Sequence, residues 1–437
     1  MEDVASKPLG GLLLILPLLV HQYEGDVFIE QQAANGLHQW IRHFGQMTLC
    51  VKVVSAPPPA DSVSIAGLGL GPNLTVELMP RGWTPLSFAK AYPEMRAKLS
   101  RLIDSHAFLH CALGGAWGDW AAVAALMAAR RGRKVAVWTD RVESEVMRID
   151  ALRASGVRRF VRLMNASLAR RLERRAIGSA ALGLFHGNDC YQTYRGFNAN
   201  PFLVHDIHLK PHDKISDESL NRKIRDVEHG PLRLIYIGRF HPDKGVMDWI
   251  ETLRLVKEAG VAFHAQWFGD GPQREEARAK VLAQGLEEQI EFPGLLVDRS
   301  ELLDKLRAAH LMPFCHLTPE SPRNLIEALA SGTPIVGYES AYPQDLISGH
   351  GGGVLTPMDP QALAAELVRL GRDRAALAAL IGRAAQDGAH MNDEAVFAHR
   401  ASLMKLYCRA EPRGVEAPIS GTGLEGARRD SDFKPCA

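Results

Sequence analysis

Short apolar runs of strand length alternate with longer stretches of helical periodicity along most of this chain. The helical stretches include residues 120–129 and 247–259, the second of which stops at Gly260. Strands that alternate with helices pair in parallel through crossover connections, so the pattern predicts an α/β fold with parallel sheets. The predicted strands are 12–16, 108–111, 135–138, 181–185, 232–237, 264–268, 291–292 and 334–336.

A polar stretch of mixed charge at 210–230 separates two sets of these units. We therefore predict an N-terminal domain at 1–209, a linker at 210–230 and a C-terminal domain at 231–390. The Ala/Leu-rich end of the pattern predicts a last helix at 391–409 that packs back on the first domain. Residues 410–437 are rich in Pro, Gly, Ser and charge, which predicts a disordered tail. Its Asp430-Ser431-Asp432 has metal-site spacing, but a disordered tail offers no rigid frame for a metal.

Charge and cysteine content exclude several classes of protein. Lys plus Arg number 51 and Asp plus Glu 50, so no overall field attracts nucleic acid. The six cysteines are scattered without zinc-ligand spacing, which favours reduced thiols in the cytoplasm. The apolar run at 12–20 is too short to span a bilayer, and a buried first strand is favoured over a signal peptide.

The most informative segment follows the strand predicted at 232–237. Gly238 is followed by Arg239, and Lys244 and Gly245 come five and six residues after that arginine. Cations at the carboxyl end of a parallel strand lie where such sheets bind ligands, and both side chains suit phosphate oxygens. An ordinary solvated loop is the alternative.

A second segment, 318–336, reads as loop, helix, glycine stop and strand. Ser321 is the expected N-cap and Pro322 the expected first helical residue, which leaves amides at the helix start free to meet an anion. Glu320 precedes the helix and Glu327 lies two turns along it. The alternative makes Glu320 a capping carboxylate and Glu327 a solvent-facing residue.

Taken in this order, the two segments resemble the retaining glycosyltransferases of family 4, which have the GT-B fold of two Rossmann-like domains facing across a cleft. That family carries a G-R-x4-K-G loop and a later E-x7-E helix. The resemblance covers about 232–388 and includes Phe268-Gly269-Asp270-Gly271-Pro272 and Glu291-Phe292-Pro293-Gly294.

This resemblance implies a donor site for a nucleoside diphosphate sugar. Arg239 and Lys244 would hold the diphosphate and stabilise the charge of the leaving group, with no metal and no other cofactor. Glu327 would bind the ribose, Glu320 would contact the transferred sugar, and the loop with Gly294 and Leu295 would read the base. Further donor contacts are expected from the helix start, at Arg323, Asn324 and Leu325.

One departure from the family concerns the spacing of the two carboxylates. Glu320 and Glu327 are seven residues apart rather than eight, and Ser321-Pro322-Arg323 replaces the usual Gly-Phe-Gly. Glu320 then reaches the sugar through a tighter turn, or Arg323 and Asn324 take over part of its role.

The N-terminal half resembles the family less closely. Gly25 takes the place of a glycine loop beside the donor phosphates. Asp140 is expected to position the acceptor hydroxyl, with a helix N-cap before Val142 as the alternative, and His186 is either acceptor-side or structural. Trp117, in a glycine-rich loop at a third strand end, is a candidate for shaping the acceptor pocket.

Between Arg148 and Arg175 lie nine arginines, which suggests docking on anionic lipid; a solvated helix face is the alternative. The predicted function is retaining transfer of a hexose-type sugar to a saccharide or lipid-linked acceptor in polysaccharide or glycolipid synthesis. The predicted location is the cytoplasm, with peripheral contact at the inner membrane face. A nucleotide-sugar epimerase and a non-catalytic nucleotide-sugar binding module are the alternatives.

Overall fold

A computed structural model describes residues 10–59, 61–318 and 320–409 of the chain, so the tail predicted at 410–437 and its Asp430-Ser431-Asp432 lie outside the described residues. The strands are β1 Leu12–Tyr23, β2 Asp26–Glu30, β3 Met47–Val54, β4 Ser62–Ser64, β5 Leu74–Met79, β6 Phe108–Ala112, β7 Ala136–Thr139, β8 Leu182–His186, β9 Pro201–Val204, β10 Leu232–Ile237, β11 Phe263–Phe268, β12 Ile290–Gly294, β13 Met312–Phe314, β14 Ile335–Tyr338 and β15 Gly353–Thr356. The helices are α1 Gln31–Phe44, α2 Pro85–Ser105, α3 Trp120–Arg130, α4 Glu143–Leu152, α5 Gly156–Ser179, α6 Gly187–Tyr194, α7 Asp217–Asp226, α8 Val246–Glu258, α9 Arg274–Ala283, α10 Arg299–Ala308, α11 Arg323–Ala330, α12 Ala341–Leu346, α13 Pro360–Arg372, α14 Arg374–Gly388 and α15 Asp393–Tyr407.

The N-terminal sheet is parallel along the path β5-β3-β1-β6-β7-β8-β9. Its central strands are buried on both faces, as expected for strands that helices cover from both sides. Two further strands, β2 and β4, add an antiparallel extension at the end of β1.

The C-terminal domain holds a second parallel arrangement. Strands β10, β11 and β12 pair in one set and β13, β14 and β15 in another, and a parallel bridge from Leu234 to Leu311 joins the two sets. The backbone amide of Ile235 donates to the Leu311 carbonyl over 3.1 Å, so β10 and β13 run side by side at the centre. The loops that follow both strands contact the N-terminal domain, through Arg153 with Asp243 and through the bridge from Arg141 to Glu320. The carboxyl edge of a parallel sheet is where such sheets bind ligands.

The final helix, α15, packs on the N-terminal domain, which confirms that part of the predicted fold. Phe397, Ala401 and Met404 are buried against the α1 face, where the Trp40 and Phe397 rings are 5.1 Å apart. The prediction of an α/β chain with two parallel sheets is confirmed as well.

Three local predictions differ from the structure. The first strand runs on past a register shift between Ile15 and Leu19 and ends at Tyr23 in a hairpin, because Tyr23 pairs directly with Asp26. The strands additional to those predicted are β2, β3, β4, β5, β9, β13 and β15. The stretch at 210–230 includes helix α7, whose buried Lys223 donates to Thr333 Oγ1 over 2.6 Å, so this part of the stretch packs on the C-terminal domain.

The cysteines and the helices bear on two further expectations. The five cysteines within the described ranges are free and buried: Cys50, Cys111, Cys190, Cys315 and Cys408. Among the helices of the same residues, none combines the length and apolar character needed to span a bilayer.

Candidate functional site

The loop from Gly238 to Gly245, called the cation loop below, follows β10 at the carboxyl edge of the C-terminal sheet. Gly245 has φ of 65°, and a Cβ there would lie 2.0 Å from the Cys315 carbonyl oxygen, so only glycine fits. At the other end, the indole of Trp267 donates to the Gly238 carbonyl over 2.9 Å. These contacts fix both ends of the loop against neighbouring strands.

The two cations of this loop differ in their surroundings. Lys244 is buried and its Nζ lies 2.6 Å from Glu320 Oε1. Arg239 is exposed, and its guanidinium makes no ion pair with any residue that the structure describes. The loop thus offers one anchored ammonium and one guanidinium open to an anion.

Helix α11 faces the cation loop but begins differently from the prediction. Pro322 is its N-cap, and Arg323 is its first residue. Ser321 does not cap the helix, since its hydroxyl donates to the His186 carbonyl of the other domain over 2.9 Å. The Leu325 amide is not free either, because it donates to the Pro322 carbonyl over 3.3 Å. Asn324 ties the helix start to β10 by donating to the Ile237 carbonyl over 2.6 Å.

Both predicted donor-side carboxylates are held by cations, so neither alternative interpretation describes them. Glu320 pairs with Lys244 instead of capping the helix. Glu327 is buried, and its Oε1 lies 3.0 Å from Arg299 Nη1. Arg299 also lies 3.8 Å from Asp213 in the connection between the domains. Sequence reasoning missed Arg299, because a single arginine at the start of α10 carries no motif.

The loop predicted to read the base follows β12. Gly294 has φ of 108° and its carbonyl accepts from the Gly269 amide over 2.8 Å. Leu295, next in the chain, is 61% exposed. The loop therefore presents backbone groups and one apolar side chain beside β11.

Gly25 lies elsewhere than the prediction placed it. It occupies the tip of the β1–β2 hairpin at φ of 85°, exposed and with no atom near the position of a Cβ. The residues that reach the carboxyl edge of the sheet from β1 are Leu16, Pro17 and Leu18, because β1 stops pairing with β6 at Ile15. The expected glycine loop beside the donor phosphates is thus replaced by an apolar bend.

Asp140 directly follows β7 and lines a cavity together with Arg323 of the other domain. Helix α4 starts at Glu143 with Val142 as N-cap, so Asp140 is not the cap of that helix. Burial by the surrounding protein, together with Glu143 and Asp206, raises the pKa of its carboxyl although the residue keeps access to solvent. The neighbouring Arg141 forms a β-bridge with Glu320, which brings Asp140 next to the donor-side carboxylate.

His186 has a structural position at the domain junction. Its Nδ1 accepts from the Asp206 amide over 3.1 Å, so Nε2 carries the hydrogen and donates to the Ser321 carbonyl over 2.9 Å. Burial lowers the pKa of His186 to about 3. Trp117 packs within the N-terminal domain, where its indole donates to Asn165 of α5 over 3.2 Å.

Asp206, which sequence reasoning also missed, joins three parts of the chain. It lies 3.7 Å from Arg323 of α11 and 3.4 Å from Arg400 of α15. Burial alone would raise the pKa of Asp206, but a hydrogen bond from His208 and the nearby charges hold it well below its usual value. Arg400 is buried, and its guanidinium carbon lies 3.9 Å from the centre of the Trp138 ring.

Known proteins are similar to this chain in sequence over its C-terminal domain and in fold over most of its length. Residues 231–373 match the family model described as glycosyl transferases group 1. The chain is 32% identical over 168 residues to the amylovoran biosynthesis glycosyltransferase AmsK of Erwinia amylovora, covering 37% of this chain and 41% of AmsK. It is 30% identical over 184 residues to the putative colanic acid biosynthesis glycosyltransferase WcaL of Escherichia coli, covering 40% and 45%. The chain thus spans under half the length of these relatives.

Solved structures match over nearly the whole chain. Anabaena HepE in complex with UDP has a TM-score of 0.63 at 15% identity and covers 91% of this chain and 99% of its own. WaaG, a glycosyltransferase involved in lipopolysaccharide biosynthesis, has a TM-score of 0.60 at 14% identity and covers 90% and 99%. At such identities the likeness concerns the fold alone, which is the GT-B fold. Residues 231–373 of the C-terminal domain are thus similar to the glycosyl transferases group 1 family, and the whole chain shares the GT-B fold.

Proposed function

We propose that the protein transfers a hexose-type sugar from a nucleoside diphosphate sugar to a saccharide or lipid-linked acceptor, with retention of anomeric configuration. The observation that carries the proposal is the cation loop facing the start of α11, with an open Arg239, an anchored Lys244 and two carboxylates beyond them. The names of AmsK and WcaL support a context in cell-surface polysaccharide synthesis. The matches to glycosyltransferases do not favour an epimerase.

Arg239 and Lys244 would stabilise the diphosphate as it leaves, in place of a metal ion. Lys244 has three N–H donors, so it can keep Glu320 oriented toward the sugar while it also binds a phosphate oxygen. Glu327, oriented by Arg299, would accept from the ribose hydroxyls. Asp140 would orient the acceptor hydroxyl from the opposite wall, and closure of the two domains would exclude water.

The test is thermal stabilisation by UDP, GDP, ADP and inorganic phosphate in EDTA. We expect one nucleoside diphosphate to raise Tm, and Arg239→Ala to abolish that rise, while Arg278→Ala at an exposed site on α9 keeps it. If no nucleotide stabilises the protein, the proposal is wrong. Release of the nucleotide from the identified donor, with and without acceptor, then separates a transferase from an epimerase and from a binding module.

We also propose that helix α5 places the protein peripherally on an anionic membrane from the cytoplasmic side. Five large apolar residues at helical spacing share one exposed face: Val157 (78% exposed), Phe160 (64%), Val161 (48%), Met164 (57%) and Leu168 (39%). Arg158, Arg159 and Arg162 lie among them, and no acidic residue occurs from 151 to 172. An apolar stripe flanked by arginines suits the interface of an anionic bilayer.

Sedimentation with vesicles tests this second proposal. We expect binding to phosphatidylglycerol vesicles and little binding to pure phosphatidylcholine vesicles. Phe160→Ser should weaken the binding several-fold, whereas Leu282→Ser, an equally exposed leucine on α9, should not. Equal binding by both variants, or no binding by the unchanged protein, would exclude α5 as the docking face.

A further inference from the structure

A cavity of about 150 Å³ opens beside Asp140, between the N-terminal sheet and the start of α11. One wall is the apolar bend Leu16, Pro17 and Leu18, and the opposite side comes from α1 and α15. Arg323 and Asp140 both line it, so it adjoins the junction at which Arg141 bridges Glu320. A cavity of roughly 150 Å³ is large enough for a six-membered ring.

Three residues that line this cavity each keep a buried polar atom without a partner among the described residues. They are Arg400 at Nε, His110 at Nδ1 and His208 at Nδ1. His110 Nε2 lies 3.5 Å from Arg400 and can only accept there, so its Nδ1 is a donor. His208 Nε2 lies 3.5 Å from Asp206 Oδ2. Together with the Glu30 and Asp140 carboxylates, these side chains give the lining both donors and acceptors, as a ligand with hydroxyl groups requires.

The charges around the cavity argue against an anionic ligand. Arg323 and Arg400 both face Asp206, so their charge is already balanced in part. Glu30 and Asp140 add two more carboxylates to the lining. Two cations against three anions leave no positive field for a carboxylate or a phosphate.

We propose that this cavity binds the terminal sugar of the acceptor, as one neutral pyranose ring whose apolar substituent, a deoxy methyl or an N-acetyl methyl group, packs against Leu16, Pro17 and Leu18. The assignment rests on the proposed glycosyl transfer and adds the class of its acceptor. It excludes uronic acids and sugar phosphates from this position.

The experiment measures binding of three probes by saturation-transfer NMR, in the presence of the stabilising nucleoside diphosphate. The probes are methyl rhamnoside, methyl N-acetylglucosaminide and methyl glucuronide. We expect at least one neutral probe to bind and the glucuronide not to bind. Ala33→Phe, which fills the cavity from α1, should weaken that binding about tenfold or more, a loss of about 1.4 kcal/mol. Ala89→Phe, the same change at an exposed site on α2, is the matched control.

Failure of this inference is distinct from failure of the proposed function. If the nucleotide still raises Tm but the neutral probes do not bind at tens of millimolar, or the glucuronide binds more tightly, the assignment of the cavity is wrong. The same holds if Ala33→Phe binds the neutral probe as well as Ala89→Phe does. Loss of the nucleotide response in the unchanged protein would instead overturn the donor site.

Discussion

At the scale of single residues, Arg299 shows how a side chain outside every motif can set the geometry of one inside it. Its guanidinium holds Glu327 at 3.0 Å and also faces Asp213, so the carboxylate assigned to the ribose is oriented from the connection between the domains. Helix α10 brings Arg299 to this point because Asp298 caps its first turn. We therefore expect Arg299 to act by positioning the carboxylate of Glu327.

Arg299→Ala should therefore weaken nucleoside diphosphate binding about five- to tenfold, which corresponds to roughly 1 kcal/mol. It should also reduce the preference for a ribonucleotide over its 2′-deoxy analogue, since Glu327 would no longer be aimed at the ribose hydroxyls. Titration calorimetry with both nucleotides measures this, with Lys305→Ala on the same helix as control. An unchanged ribose preference would show that Arg299 has only a structural role.

At the scale of elements, the sequence predicted the β10 strand, the cation loop and the α11–β14 unit well, because each combines a buried apolar run with a glycine that marks its end. It predicted the first strand poorly. The predicted strand stops at residue 16, but the second half of β1 continues past Pro17 by pairing with β3 and β2. Pairing between distant segments leaves no local signal, which is also why Asp206 and Arg400 could not be foreseen together.

The hairpin gives a prediction about Gly25. Gly25→Ala should leave nucleotide-induced stabilisation unchanged, because Gly25 is exposed at the tip of a hairpin that extends beyond the point where β1 leaves β6 at Ile15. It should lower Tm by a few degrees, since a residue with a Cβ at φ of 85° costs about 1 kcal/mol. A thermal-shift series with and without nucleotide checks both statements. If the nucleotide no longer raised the Tm of Gly25→Ala, Gly25 would belong to the donor site after all.

At the scale of the whole molecule, the two domains meet through contacts that include backbone groups. Ser321 and His186 exchange hydrogen bonds with each other's carbonyl oxygens, and Arg153 at the end of α4 lies 2.8 Å from Asp243 of the cation loop. The second contact links the α4–α5 region, proposed to dock on the membrane, directly to the proposed phosphate site. A change in the relative position of the two domains would therefore alter the contact between Arg153 and Asp243 and, with it, the cation loop.

This junction predicts a dependence of stability on pH. Burial lowers the pKa of His186 to about 3, whereas the unfolded chain titrates near 6.5. Below pH 6.5 the imidazole of His186 is therefore protonated in the unfolded state but stays neutral in the folded state. The stability that this difference contributes is complete above pH 6.5 and is lost toward pH 3, at about 1.4 kcal/mol per pH unit.

His186→Gln keeps one donor and one acceptor but cannot titrate. Between pH 7.5 and 5.0, urea unfolding should show a loss of stability smaller by about 2 kcal/mol in the variant. His205 and His310, whose pKa values burial lowers to about 4 and about 3, titrate in both proteins and leave a common residual slope. Equal losses in the two proteins would mean that His186 is not held neutral at the junction.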